Sequence, residues 1–539
     1  MTHTIPAHAL IDSDEASATQ WDVVIVGGGM GGANAAHVLA NAGFHVLLIE
    51  KGLANFDASH SVGVDAEQHD PEARLASGMW PTRLSTRIDG KDSAIWSPLG
   101  CGIGGSTLLY AAALQRLQTI DFEPQTAPDG RELQWPISYS ELQPYYQRAE
   151  KRFGVCGTED PLDPAADHAL LQPPAMCEND AHLFEEFELA GLHPYRMHVA
   201  MKYVPDCGEC GGRICSAMCK QDAFNSCVSP AVDTGNLRVL QRTEVARFNA
   251  TREKVTEAVV LGPGDARVTV RGNVFVLSAG SYFSPMLLLK STNEFWPNGL
   301  ANGSGQVGRN LMFHASDFIA CWQKGKYSRN GPAKTIALRD FYSADGQKMG
   351  EFQSTGLTAG FGSVLYALRL IFDQSWLRRI GFLRHFLRIP AWLASKLYGE
   401  ATLFATIVED FPYAENRIVL DDDTPSGIRI EYRITEELRK RVLDMRQRLR
   451  KKMPRLRLLP MNVGITLNYG HPCGTIVAGS DPATSVLDRN CKAHELSNLY
   501  VVDSSFMPTS GGTNPSLTIA ANAERVAEEI AVQLRTIIP

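Results

Sequence analysis

Between Trp21 and Glu50 the chain reads as strand, glycine loop, helix, strand and acid in unbroken succession, and few folds accommodate that order. Trp21 to Val26 (WDVVIV) is almost continuously apolar and β-branched, as expected of a strand covered on both faces in a parallel sheet. Gly27, Gly29 and Gly32 follow in the G-x-G-x-x-G pattern. Ala33 to Ala42 has small and apolar residues at helical spacing, and Phe44 to Ile49 is a second buried strand ending in Glu50. Gly27 permits the tight turn, Gly29 leaves room for a pyrophosphate, and Gly32 lets the helix press on the strand. The helix start offers free N–H groups to the phosphates. Glu50 is placed to accept ribose hydroxyls and would repel a 2′-phosphate. This unit fits FAD or NAD; its place at the front of a long chain favours FAD.

The 539 residues supply enough chain for more than one domain and a large core. Hydrophobic residues at 44% and charged residues at 21% exclude a disordered or fibrous chain. A net charge of −7 gives no whole-molecule field for nucleic acid. No apolar run is long enough to span a bilayer. Met1 to Gln20 is polar, without the basic and apolar regions of an export signal, which predicts a cytoplasmic location. The alternative is co-export with a signal-bearing partner to the periplasmic face of the inner membrane.

Two further stretches fit the same ligand. Gly100 to Thr107, including Gly104, Gly105 and Ser106, is too rich in glycine for a strand or helix and lets backbone approach something flat or anionic. Leu499 to Val502 is a buried strand ending at Asp503, and Ser516 to Ile530 reads as a helix with Asn514 and Pro515 at its start. That helix start would set a positive dipole near a flavin carbonyl.

These segments resemble the glucose–methanol–choline (GMC) family of FAD oxidoreductases. The resemblance is carried also by Gly280-Ser281-Tyr282-Phe283-Ser284-Pro285, by Val307-Gly308-Arg309-Asn310-Leu311 with His314, by His471-Pro472-Cys473-Gly474-Thr475, and by Gly512-Thr513-Asn514-Pro515. It covers residues 21 to 532. It implies an α/β fold: a Rossmann-type FAD-binding domain (residues 19–130, 230–315 and 485–539) with a discontinuous α+β substrate-binding cap (131–229 and 316–484). It implies non-covalent FAD, with the Val245 backbone at the adenine. It also implies oxidation of a CH–OH group, in which His471 takes the hydroxyl proton and Asn514 orients the oxygen while hydride goes to flavin. Histidine suits the first task because its ordinary pKa, about 6.5, lies near neutrality. His314 reads as a residue standing behind the catalytic groups or as a packing neighbour.

Cys207, Cys210, Cys215 and Cys219 crowd one glycine-rich loop, with Cys227 nearby. Such spacing suits an iron–sulfur cluster, a zinc ion, or cysteines that brace the loop. The resemblance extends to flavoprotein subunits of bacterial sugar and alcohol dehydrogenases, whose comparable insert holds a cluster that passes electrons to a haem protein. That implies a dehydrogenase with a small subunit and a cytochrome or other acceptor. The alternatives are an oxidase that makes hydrogen peroxide with a structural cysteine loop, and a non-catalytic or light-responsive flavoprotein, against which the His471/Asn514 pair argues.

Between the motifs, residues 56 to 95 read as loops, and a helix over Glu141 to Arg152 is expected to be capped by Ser140. Ala401 to Val408 and Ile428 to Tyr432 read as cap strands. Phe361 to Tyr398 is apolar and basic, with Asp373 its only acid and Pro390 expected to break its helix. It reads as a peripheral membrane or partner contact, as a lipophilic substrate channel, or as a helical cap on the core with arginines in solvent.

Overall fold

Runs of Val, Ile and Leu without polar alternation are stable only where both faces are covered, and here they form the centre of the molecule. The computed structural model describes residues 3–537 apart from 60, 206, 263, 265, 266, 345, 358, 375 and 463. Gln20–Val26 runs parallel to Val46–Ile49 on one side and Arg267–Leu277 on the other, with Val24 opposite both Leu47 and Phe275. Leu237–Leu240 extends the sheet beyond Val46–Ile49, and Leu499–Val501 pairs in parallel with Arg267–Leu277. Val255–Leu261 and Glu244–Ala250 add antiparallel strands. The helix Met30–Asn41 lies against this sheet, and the terminal helix Ser516–Ile537 packs on it and on Tyr139–Phe153.

A second domain rests on a six-stranded antiparallel sheet in the order Arg457–Pro460, Phe318–Trp322, Thr402–Val408, Gly350–Ser354, Ile336–Leu338 and Tyr195–Arg196. Two of its central strands meet the nucleotide side. The N–H of Glu351 donates to Gly512 O, and that of Asp410, just past Thr402–Val408, donates to Ser510 Oγ.

Three local expectations are corrected. Residues 56 to 95 are not all loop: Pro71–Ala76 is a helix, and Leu84–Ile88 and Lys91–Ile95 form a hairpin paired with Ile428–Tyr432. The sign of it was the Asp89-Gly90 turn, both residues at positive φ; only the third strand is remote in sequence. The helix Tyr139–Phe153 is capped by Ser138 rather than Ser140, because Glu141 reaches back to the Ser138 N–H at 2.9 Å and closes a capping box. Pro390 sits in the first turn of Arg388–Tyr398, where a missing N–H costs nothing; the break lies between Phe361–Gln374 and Leu383–Phe386.

Candidate active site

The two glycine loops interlock backbone to backbone. The Gly104 N–H donates to Gly28 O at 2.8 Å, and a Cβ on Gly105, whose φ is +54°, would stand 2.6 Å from Gly29 Cα. A Cβ on Gly27 would meet Ser278 O at 2.3 Å, and one on Gly32 would meet Gly27 O at 2.0 Å. Gly31, outside the motif, is equally tight: its Cβ would lie 2.2 Å from Val502 O. Gly29 differs. Nothing lies nearer to its Cβ position than Gly105 Cα at 3.9 Å, and it lines an open cavity of about 370 Å³. The space kept clear at Gly29 is space for a ligand.

Three helix starts converge on that cavity, at Gly29–Met30, Ala279–Gly280 and Pro515–Ser516. No side chain caps the first of these; at the second, the Asp503 carboxylate accepts the Gly280 N–H at 3.0 Å. The free N–H groups at the Gly29–Met30 start, with its dipole, favour an anionic, phosphate-bearing ligand there. Ser278 Oγ, buried in the wall, has no hydrogen-bond partner among the described residues. A dinucleotide fits this cradle.

Of the residues expected at the cofactor, Gly27, Gly29, Glu50, Gly105, Ser106, Val245, Asp503, Asn514 and Pro515 border the cavity. Gly32 and Gly104 stand behind its wall and shape it. The Glu50 carboxylate accepts N–H groups of Gly28, Gly52 and Gly102 at 2.9–3.0 Å, so it ties the two loops together and keeps about one of its four lone-pair directions for a ribose. Asp503 accepts from the Gly280 and Ser505 N–H groups and from Ser284 Oγ; burial raises its pKa against those bonds.

At the far end His471 and Asn514 border the same cavity. His471 Nδ1 lies 3.0 Å from His314 Nδ1, and the rings stand at 90°. His314 Nε2 lies 3.2 Å from Ser510 O and 3.0 Å from Gly511 O. Carbonyl oxygens only accept, so His314 Nε2 carries the hydrogen and its Nδ1 carries the lone pair. His471 Nδ1 must then donate, which leaves the His471 Nε2 lone pair without a partner among the described residues. Burial first, and then the neighbouring His314, lower the His471 pKa to about 3; burial lowers that of His314 to about 4. Both rings are therefore neutral near pH 7.

Asn514 is held from the second domain. Its Nδ2 donates to Gln353 Oε1 at 2.9 Å, and Thr513 Oγ1 donates to Glu351 Oε2 at 2.7 Å. The Arg339 guanidinium reaches Glu351 at 3.3 Å. One Asn514 amide hydrogen remains for a ligand oxygen. His314, three residues beyond the VGRNL stretch, takes the first of the two places expected for it, behind His471. Gln353 and Glu351 were not found from the sequence; they lie in a strand with no motif.

The cysteine loop lies directly behind this wall. Gly212 N–H donates to Leu109 O at 2.7 Å, and buried Lys220 Nζ donates to Leu108 O at 2.8 Å, while Leu109, Tyr110 and Ala111 line the cavity. Cys219 Sγ is 3.3 Å from both Cys207 Sγ and Cys215 Sγ. A hydrogen bond with Cys210 draws the Cys215 thiol down, and burial lowers the Lys220 ammonium to about 8. All four are free cysteines, and among the described residues no group of His, Cys, Asp or Glu is spread to hold a metal ion. A zinc tetrahedron with Zn–S near about 2.3 Å needs sulfurs farther apart than this. The structure gathers the four cysteines expected to ligate a metal, Cys207, Cys210, Cys215 and Cys219, into one loop, with Cys207, Cys215 and Cys219 in thiol contact.

The GMC oxidoreductase family models match residues 21–316 and 412–523. Paromamine 6′-oxidase of Streptomyces fradiae is 30% identical, over 95% of this chain and 92% of its own. The fructose dehydrogenase large subunit of Gluconobacter japonicus is 26% identical, over 95% and 98%. Among solved structures, pyridoxine 4-oxidase from Mesorbium loti superposes with a TM-score of 0.62 at 20% identity, covering 95% of this chain and 99% of its own. The chain belongs to the GMC oxidoreductases, FAD-dependent enzymes with a Rossmann-type nucleotide domain and a second, substrate-binding domain.

Proposed function

We propose that the protein oxidises a CH–OH group of a sugar-type alcohol to a carbonyl and hands the electrons to an external carrier. Bound FAD supplies the hydride acceptor. The observation that carries the reading is the contact of His471 Nδ1 with His314 Nδ1: it assigns the hydrogen to His471 Nδ1 and leaves Nε2, on a ring that lines the cavity, as an acceptor for the hydroxyl proton. The spare Asn514 amide hydrogen holds the same oxygen and aligns its carbon. Gln353 keeps that amide in place. The pair also argues against a non-catalytic or light-driven flavoprotein, which has no use for a base beside a hydrogen-bond donor. The sugar class is supported by the names of the two relatives.

The carrier is supported by the position of the cysteine loop. Its inner side bonds the cavity wall, while Gly208, Arg213, Ser216 and Ala217 are exposed on its outer side. Four cysteine sulfurs in one loop, beside the buried ammonium groups of Lys220 and Lys334, suit an iron–sulfur centre in number and kind. Such a centre would supply a one-electron exit to a haem protein, with a small subunit docked nearby. The Mycolicibacterium austroafricanum relative is named a 2-methyl-1,2-propanediol dehydrogenase, and the Streptomyces fradiae relative an oxidase, so oxygen as acceptor is the second reading.

Iron and acid-labile sulfide analysis of the purified protein, with turnover of hexoses and aminoglycosides under oxygen and under an artificial one-electron acceptor, tests both. Iron and sulfide in comparable amounts, and turnover that needs the artificial acceptor, are expected. Flavin alone with full activity on oxygen contradicts the carrier reading and establishes the second. No turnover of any alcohol with either acceptor contradicts the oxidation itself.

A further inference from the structure

An amphipathic helix of a globular protein turns its apolar stripe inward. Arg388–Tyr398 does the opposite. Ile389, Trp392, Leu393 and Leu397, at the spacing of one helical face, are 50–60% exposed, while Ala391 is fully buried and Tyr398 packs at 5.7 Å on Trp322 of the second-domain sheet. Phe382 and Phe386, 64% and 58% exposed and in edge contact at 6.3 Å, stand beside it.

The charges divide into two sets. Arg369 and Arg384 tie the Phe361–Tyr398 segment to Glu67, at 3.0 and 2.7 Å, and Arg384 also pairs with Asp373. Arg379, Arg388 and Lys396 are exposed and have no ion pair among the described residues. From Gln374 to Gly399 there is no Asp or Glu, although the whole chain carries −7. The segment lies in residues 317–411, between the two stretches that the family models match. Among the described residues no helix is long and apolar enough to cross a membrane.

We propose that the Phe382–Leu397 face docks on the surface of a membrane that carries anionic lipid. Trp392, Phe382, Phe386, Ile389, Leu393 and Leu397 enter the acyl boundary, and Arg379, Arg388 and Lys396 meet the headgroups. The charge decides between occupants: an unpaired basic rim around an apolar stripe on an acidic protein matches an anionic bilayer, whereas two copies of this face would bring like charges together.

The flavin-loaded full chain, mixed with vesicles of phosphatidylcholine alone or of phosphatidylcholine and phosphatidylglycerol in equal parts, tests this by co-sedimentation. Binding to the anionic vesicles, weakened by added salt and at least about ten-fold weaker on the neutral ones, is expected. Trp392→Ser with Leu397→Ser should abolish it. Arg388→Gln and Lys396→Gln should each weaken it about five-fold. These side chains are exposed and outside the cavity, so flavin content, melting temperature and turnover should be those of the parent. No sedimentation with either vesicle, equal binding to both, or a dimer in sedimentation velocity that the Trp392/Leu397 variant dissolves would each overturn the proposal.

Discussion

The two ends of the cavity are built from different materials. The phosphate end is backbone: glycines, the uncapped helix start at Gly29–Met30 and N–H groups gathered by Glu50. The chemical end is side chain on side chain, with His471 set by His314 and Asn514 set by Gln353. A backbone site fails when a Cβ enters it, almost regardless of what the side chain is. A side-chain site degrades by degrees, because each contact it loses has a definite and limited worth.

Gly29 should give the largest effect. Gly29→Val fills space that only Gly105 borders, so the chain should fold but its affinity for FAD should fall on the order of a hundred-fold, read by flavin retained through desalting. Gly31→Val should behave differently, with the folded yield itself collapsing, because Val502 O leaves no room. Equal flavin retention and yield in the two variants would break the contrast.

At the other end, His314→Ala should lower kcat roughly ten- to a hundred-fold with flavin retained, since His471 is then free to place its hydrogen on either nitrogen. Loss of the neighbouring ring should also raise the His471 pKa. The acid limb of the pH–rate profile should therefore move to higher pH, a change that mere loosening of the fold would not produce. Gln353→Leu strands one Asn514 donor and should cost about ten-fold in kcat/KM.

The smallest expected effect is on stability. His314 and His198 are buried and neutral, with pKa values lowered by burial to about 4 and about 3. The unfolded chain binds these protons near pH 6.5 and the native chain does not. Stability is thus complete above pH 6.5 and drains away as pH falls, by about 2 kcal/mol per ring at pH 5. Thermal melts from pH 7.5 to 4.5 should show it, and His198→Gln should lessen the slope.

The same contrast explains what the sequence disclosed. Glycine positions are legible because a tight turn or a close approach leaves no other residue, so Gly27, Gly32 and the Gly100–Thr107 loop announced their places. The strands Thr402–Val408, Ile428–Tyr432 and Leu499–Val501 followed from apolar pattern alone. His471 and Asn514 were found only through family motifs, since a lone His or Asn has no periodicity. The groups that set Asn514 were missed because Gln353 and Glu351 act through contacts across some 160 positions of chain. The Leu84–Ile95 hairpin is local and carries a signal, the Asp89-Gly90 turn; it was passed over because its polar strands lack a clear period.

Anaerobic reduction of the bound flavin by a reactive alcohol, followed in the dark by loss of its visible absorption, tests the central claim most directly. In the parent protein the colour should bleach. In His471→Ala, with equal flavin content, the rate should fall by about 10²–10⁴-fold. Equal rates in the two proteins would show that the proton leaves by another route and would contradict the account.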